Sequence, residues 1–432
     1  MRLSPYPKGL QMEKTLITKN GVAVHSYKNE KISSFAISLF LRCGPMYESE
    51  NENGFAHFFE HIVFRNINAI MDGKLYETLD ECGLYFNAAT YVNYIEFTIS
   101  GARSHFNDAA KIISLVLSPF ALPASEINTE KKRIKAEIRE DDESSLDRFS
   151  DGLVYEGTSL ERPITGKCPN VEKFGLKMLR AERKRFLTRE NTFFYVGGNF
   201  KEKNLSFLSS LIEKQEIFSA APFSNIAPVP ARFGKRGCTV AVKNAASVSV
   251  KLSFDVKNEG YTLPELFCLS DSLFAGESCP MYRELSENTG LIYSYDETLL
   301  CFENVSFLSV SYEVRADKLM KSIETVTKML KLAKTNAGKR LKYILPAYTD
   351  NAYISLDSAE AICSDYGYYS HILGSKYRSV DDRISEFSSV SEERITALAG
   401  TVFTPDNLVV SVKGNKNKID TDEIKRIITE NL

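Results

Sequence analysis

Apolar and polar residues change their spacing along this chain so that strand-like and helix-like pieces alternate. Residues 20–42 read as two strands, the second over Ser34–Leu41, where Phe, Ile and Leu interleave with smaller residues, and Gly44-Pro45 stops it. Helical spacing follows over 52–64 and again over 72–81, the latter closed by Gly83. Residues 92–99 alternate cleanly: Val92, Tyr94, Glu96 and Thr98 face one way, and Asn93, Ile95, Phe97 and Ile99 the other. The pattern then predicts helices over 106–117 and 125–142, the second opened by Pro123 and Ser125. A turn-rich stretch runs to about residue 170, followed by a helix to about 187 and a strand to 197.

The pattern also repeats. Phe186-Leu-Thr-Arg-Glu-Asn-Thr-Phe-Phe-Tyr-Val-Gly-Gly-Asn199 and Val402-Phe-Thr-Pro-Asp-Asn-Leu-Val-Val-Ser-Val-Lys-Gly-Asn415 are offset by 216 residues, half of a chain of 432. Thr188/Thr404, Asn191/Asn407, Val196/Val412, Gly198/Gly414 and Asn199/Asn415 coincide. In each copy a helix ends, a turn with Asn follows, and a strand exits through glycine. The spacing favours an internal duplication, with domains over 1–219 and 238–432 joined by a proline-containing linker over 220–237. The second half is expected to open, like the first, with paired strands near 238–256.

Composition narrows the class. With 43% apolar and 25% charged residues the chain is an ordinary globular protein, and a net charge of -2 speaks against nucleic acid as a partner. Its basic clusters, Lys131-Lys132-Arg133 and Arg180 to Arg185, fall in Glu-rich helical stretches and read as solvated helix faces. No secretory signal and no apolar run of membrane-spanning length is visible. The eight cysteines are scattered without a Cys-x-x-Cys pair, as in reduced thiols of a cytoplasmic protein.

Chemistry concentrates in Ala56-His57-Phe58-Phe59-Glu60-His61, which holds two of the five histidines. On a helix, positions i and i+4 stack on one face, so His57 and His61 can share one metal ion. Zinc takes imidazole nitrogens readily, and a catalytic site needs one more protein ligand and an open position. Glu60 lies beside that face and can move a proton to and from the reacting atoms. The third ligand must come from elsewhere. Glu130, Glu137 and Glu140 share the 125–142 helix, the first two seven residues apart on one face, and the pattern alone leaves the choice among them open.

His-x-x-Glu-His is the inverted zincin motif, and Gly54-Phe-Ala-His-Phe-Phe-Glu-His-Ile-Val-Phe64 resembles the signature of the pitrilysin, insulin-degrading and mitochondrial-processing peptidase family. In that family the third ligand is a Glu about 76 residues beyond the second His, with another Glu seven positions earlier. The matching residues are Glu137 and Glu130, so the resemblance implies Glu137 as ligand and Glu130 as the outer partner of the site. Asn87-Ala88-Ala89-Thr90 resembles the family segment that pairs with extended substrate backbone, which implies roles for Asn87 and Ala88. Leu160-Glu-Arg-Pro-Ile-Thr-Gly166 resembles a stretch of the short bacterial members.

In the second half, Leu285-Ser-Glu-Asn-Thr-Gly-Leu-Ile-Tyr293 resembles a further family signature, and Tyr293 matches the tyrosine that supports the oxyanion. The family arginine of that signature is replaced by Ser286, with Arg283 one turn away. The Lys/Arg-Gly-Thr that often follows the metal helix is replaced by Arg65-Asn66-Ile67.

The resemblance implies an α+β protein of two homologous halves, each a mixed sheet packed with helices, closing like a clamshell. It implies one zinc ion per chain, held by His57, His61 and Glu137, with Glu60 and Tyr293 as catalytic groups. No cofactor beyond the metal is expected. The expected activity is endopeptidase cleavage of short or unfolded peptides, as in precursor or leader-peptide processing. A catalytically weak peptide-binding or scaffold subunit is the alternative that Ser286 suggests. The partners are then a peptide substrate and a second copy or a related peptidase-like subunit, with no membrane partner.

Overall fold

The computed structural model describes residues 12–140, 145–375 and 378–432. The opening Met1–Lys8 and the last two positions of the expected 125–142 helix lie outside them. In chain order the first half forms β1 (Lys14–Ile17), β2 (Ala23–Lys28), β3 (Ser34–Leu41), α1 (Phe55–Ile70), α2 (Leu75–Cys82), β4 (Tyr85–Thr90), β5 (Ile95–Ala102), α3 (Phe106–Ser114), α4 (Ala124–Glu140), α5 (Leu146–Val154) and, after further helices, β6 (Thr192–Gly198). The second half repeats this order with β7 (Thr239–Asn244), β8 (Val248–Lys257), β9 (Tyr295–Cys301), β10 (Val305–Val314) and β11 (Leu408–Gly414). The fold is α+β, as expected.

Sheet order makes the duplication plain. One sheet runs β1-β2-β6-β3-β5-β4 and the other β7-β11-β8-β10-β9. In both, the strand of the 216-residue repeat is inserted between two strands adjacent in sequence, parallel to the first and antiparallel to the second. The strands near 238–256 therefore do not pair with each other; β11 separates β7 from β8. This position explains the repeat's composition. A central strand covered on both faces is mostly apolar: every residue of β6 is buried, and so is every residue of β11 but Lys413.

By contact the chain divides into two compact units. One comprises the described residues within 1–141, 162–225 and 351–383, the other those within 142–161, 226–350 and 384–432. This division departs from the sequence-contiguous halves at two segments, 142–161 and 351–383, each belonging to the unit built mainly from the other half.

In the first unit, Phe35, Ile37 and Leu39 of β3 join Phe58, Phe59 and Ile62 of α1 in one core. On the opposite face of β3, Phe40 lies against Gly367, next to the helix Ala359–Tyr366. That helix comes so close to β6 that a Cβ on Gly197 would sit 2.6 Å from the Ala359 carbonyl oxygen, so glycine is needed there. In the second unit, α5 packs against β8 and β11. Arg236 fixes it: its guanidinium pairs with buried Asp255 at 2.6 and 2.9 Å and donates to the Val154 carbonyl at 2.8 Å.

Local departures from the pattern have local causes. α1 begins at Phe55 rather than 52, because Glu50–Glu52 form a separate 3-10 turn and Gly54 takes a left-handed conformation (φ 94°). It then continues past 64 to Ile70, since Asn66 and Ile67 extend its buried face. α5 lies in the stretch that reads as turn-rich; Gly152 interrupts its apolar spacing, and the Ser145 hydroxyl caps it by accepting from the Arg148 N–H. α2 ends at Gly83, which is left-handed at φ 57°. All eight cysteines are free thiols. Among the described residues no helix is long and apolar enough to cross a membrane.

Candidate metal centre

α1 carries the His-x-x-Glu-His motif because its two faces differ. Phe55, Phe58, Phe59 and Ile62 enter the core, which turns His57, Glu60 and His61 toward an open cavity of about 720 Å³. The helix start is held by Glu48, whose buried carboxylate accepts from the Gly54 N–H at 2.8 Å and the Ala56 N–H at 2.7 Å. Burial pushes the Glu48 carboxyl up to about 7, although these hydrogen bonds act in the opposite direction.

The two imidazoles meet edge to face with Nε2 atoms 3.2 Å apart. From α4, Glu137 places one carboxylate oxygen 3.6 Å from His57 Nε2 and the other 3.5 Å from His61 Nε2. Two nitrogens bound tetrahedrally to one zinc ion lie roughly 3.3 Å apart, given Zn–N distances near 2.0–2.1 Å. The three donors thus already have the spacing and the chemistry that a zinc ion needs. Burial, then the neighbouring His61, brings His57 down to about 4, so its imidazole is neutral near pH 7 with a lone pair available to metal.

Of the three candidate glutamates, Glu137 stands against both Nε2 atoms, and Glu140 lines the cavity without joining the donor group. Glu130 stands behind His61. It is 1% exposed, accepts from His61 Nδ1 at 2.9 Å, and accepts from Arg65 Nε at 2.6 Å. With Nδ1 carrying the proton for that bond, His61 Nε2 is left as acceptor toward the cavity. Burial would raise Glu130, but the His61 and Arg65 hydrogen bonds and the Arg65 charge outweigh it and hold the carboxyl below its usual range.

Glu60 accepts a hydrogen bond from the Thr90 hydroxyl at 2.6 Å. Its carboxyl lies above the usual range, chiefly through burial, which moves a proton acceptor toward the pH at which it would work. Thr90 ends β4, the outermost strand of its sheet, and Ala88 of the same strand lines the cavity while Asn87 is exposed. Tyr293 belongs to the second unit and is 95% exposed. Ser286 and Arg283 lie in the helical turn Arg283–Glu287 of that unit.

The family model for insulinase (peptidase family M16) matches residues 22–168, and that for the peptidase M16 inactive domain matches 173–339. The chain belongs to peptidase family M16. Among its M16 relatives is a zinc protease of Bacillus subtilis, YmxG, 24% identical over 94% of this chain and 99% of that protein. The rat mitochondrial-processing peptidase subunit beta is 27% identical over 39% of this chain and 36% of its own. A protease from Helicobacter pylori shares the fold with a TM-score of 0.81 at 17% identity, over 94% of this chain and all of that one.

Three residues at the site escape reasoning from motifs. Thr90 stands in the Asn87–Thr90 segment, but its contact with Glu60 bridges 30 positions of sequence. Arg65 follows the motif without being part of it, and supplies the cation that holds Glu130. Glu48 carries no signal, because a helix start eight residues away is not a pattern.

Proposed function

We propose that this M16 member is a zinc-dependent endopeptidase acting on short or unfolded peptides. The observation that carries the reading is the convergence of His57, His61 and Glu137 donor atoms beside a Glu60 already oriented by Thr90. When bound there, zinc would supply Lewis-acid polarisation of the scissile carbonyl and make water acidic enough to attack near neutral pH. Glu60 takes the proton of the attacking water and delivers it to the leaving amine, so the peptide C–N bond breaks without a free charged amide. Glu130 keeps His61 in one tautomer and orientation throughout, and Arg65 keeps Glu130 ionised.

An edge strand bordering the cavity supports extended binding. Among the described residues β4 pairs only with β5, so a peptide can add beside it through backbone hydrogen bonds near Asn87 and Ala88. Tyr293 is assigned oxyanion support by resemblance, and its exposure leaves the hydroxyl available to a ligand. A second copy or a related subunit is the expected partner, and processing of a precursor or leader peptide is the expected setting.

The test is metal analysis joined to a peptide-library digest. Wild-type protein should hold one zinc at this site and cleave; Glu60→Gln should hold the zinc and lose activity by about 10²–10⁴-fold. Tyr293→Phe should lower kcat while leaving metal content unchanged. The absence of Arg at Ser286 favours a second reading, a peptide-binding subunit of low turnover. Peptide bound but uncut by zinc-loaded wild type, alone and with a related subunit added, would establish that reading and exclude the first.

A further inference from the structure

All five histidines of the chain fall into three groups of side chains with metal-ligating atoms. His57 and His61 form the centre described above. His25 and His371 lie with Glu13, but that group is built to exclude a cation. Its imidazoles are stacked, centroids 3.6 Å apart at 18°, so their in-plane lone pairs run side by side instead of converging. The guanidinium of Arg378 also faces Glu13 at 3.4 Å. The fifth histidine, His105, stands with Cys82 and Asp108, and there the geometry is of the opposite kind.

Cys82 is the last residue of α2, His105 precedes α3, and Asp108 lies in the first turn of α3. The thiol sulfur, imidazole nitrogen and carboxylate oxygen all lie within 4.8 Å of one another, and all three residues are half-exposed. His105 Nδ1 and Asp108 Oδ2 are 3.6 Å apart, near the separation of two ligands on a tetrahedral zinc ion. Residues i and i+3 share a helix face, so Asp108 and His105 present their donors together, while Cys82 reaches them across the fold.

We propose that Cys82, His105 and Asp108 form a second, solvent-facing site for a zinc-class divalent cation. Thiolate, imidazole and carboxylate together suit a borderline cation such as zinc over magnesium or calcium, which prefer oxygen alone. Solvent access leaves room for water as fourth ligand. On binding, Cys82 gives its proton to solvent and Asp108 exchanges its exposed Lys111 partner, now 3.0 Å away, for the metal.

The position gives the site a consequence. Tyr85 pairs with Ser100 at one end of the β4–β5 ladder and Thr90 with Ile95 at the other. Cys82 and His105 lie just beyond the first end, and the second end carries Thr90, the partner of Glu60. A cation at the outer site ties together the open end of the same edge hairpin whose far end borders the cavity, about 17 Å along the strand.

Cobalt separates this site from the first, because only a cysteine-ligated cobalt ion shows thiolate-to-metal charge-transfer absorption. Metal-free full-length protein titrated with Co²⁺ should develop one such band, complete by about two equivalents per chain because the inner centre takes the other, and bleached by Zn²⁺. The band should vanish in Cys82→Ser, shift to at least tenfold higher cobalt concentration in His105→Asn and Asp108→Asn, and persist in His57→Asn, which disables only the inner centre. No band in the wild type, or a band that survives in Cys82→Ser, overturns the proposal. Neither result bears on the endopeptidase reading, whose metal ligands include no thiolate.

Discussion

Apart from the extra edge strand β1, the two units share one strand order, yet their first long helices present opposite chemistry. α1 of the first unit sets His57, Glu60 and His61 on a cavity. The matching helix of the second unit, Leu263–Phe274, turns Leu266, Cys268, Leu269, Ser270 and Ser272 inward, and all are buried. Of its two acidic residues, Glu265 and Asp271, Glu265 is spent on structure, accepting from the Thr262 N–H at 2.8 Å and pairing with Arg394 at 2.5 and 2.9 Å. All five histidines lie in the first unit. One scaffold thus serves twice, and chemistry arises only where a second helix delivers carboxylates to a face that the core does not need.

The contrast can be broken most severely at Glu137. Glu137→Gln should reduce zinc affinity by more than the roughly 10–100-fold that a lost outer partner costs, read by competition with a chelator, whereas Glu265→Gln in the second unit should leave zinc affinity unchanged. Glu130→Gln should fall in that 10–100-fold range, because His61 loses its orienting acceptor while all three ligands remain. An unchanged affinity would show that the Arg65–Glu130 pair serves stability alone.

Stability gives the next pair. Gly197→Ala should destabilise the protein by about 1–3 kcal/mol in denaturant unfolding, since the added methyl meets the Ala359 carbonyl. At the equivalent place in β11 stands Lys413, offset by 216 residues, so the second sheet carries a side chain where the first has room for none.

The smallest wild-type signature is a pH dependence confined to the first unit. Burial, then the charges of His371 and Arg378, brings His25 down to about 3 from an ordinary value near 6.5. The unfolded chain therefore binds a proton that the folded one refuses. This contribution is complete above about pH 6.5 and is lost as pH falls toward 3, by about 2 kcal/mol between pH 6.5 and 5. His25→Gln should flatten that part of the stability curve; an unchanged slope would assign it to another group.

How much was legible depended on range. Ser34–Leu41 was readable to the residue because a strand's period is set by its own side chains. The metal motif was readable because i and i+4 meet on any helix. β4 leaves no strand signal because an edge strand with one half-covered face has weak alternation, and α5 leaves no helix signal because its partners are Arg236 and the second sheet.

By itself the sequence determined the duplication, most elements of the first half, and the one helix on which His57, Glu60 and His61 share a face. All of these follow from local periodicity or from direct comparison of one stretch with another. Only the tertiary structure decided which glutamate meets both imidazoles and that Thr90 orients Glu60. It also decided that β6 and β11 separate sequence neighbours, that two segments exchange between units, and that Cys82 meets His105. Each of those depends on contacts between residues far apart in the chain, and such contacts are set by how whole elements pack, which no local spacing records.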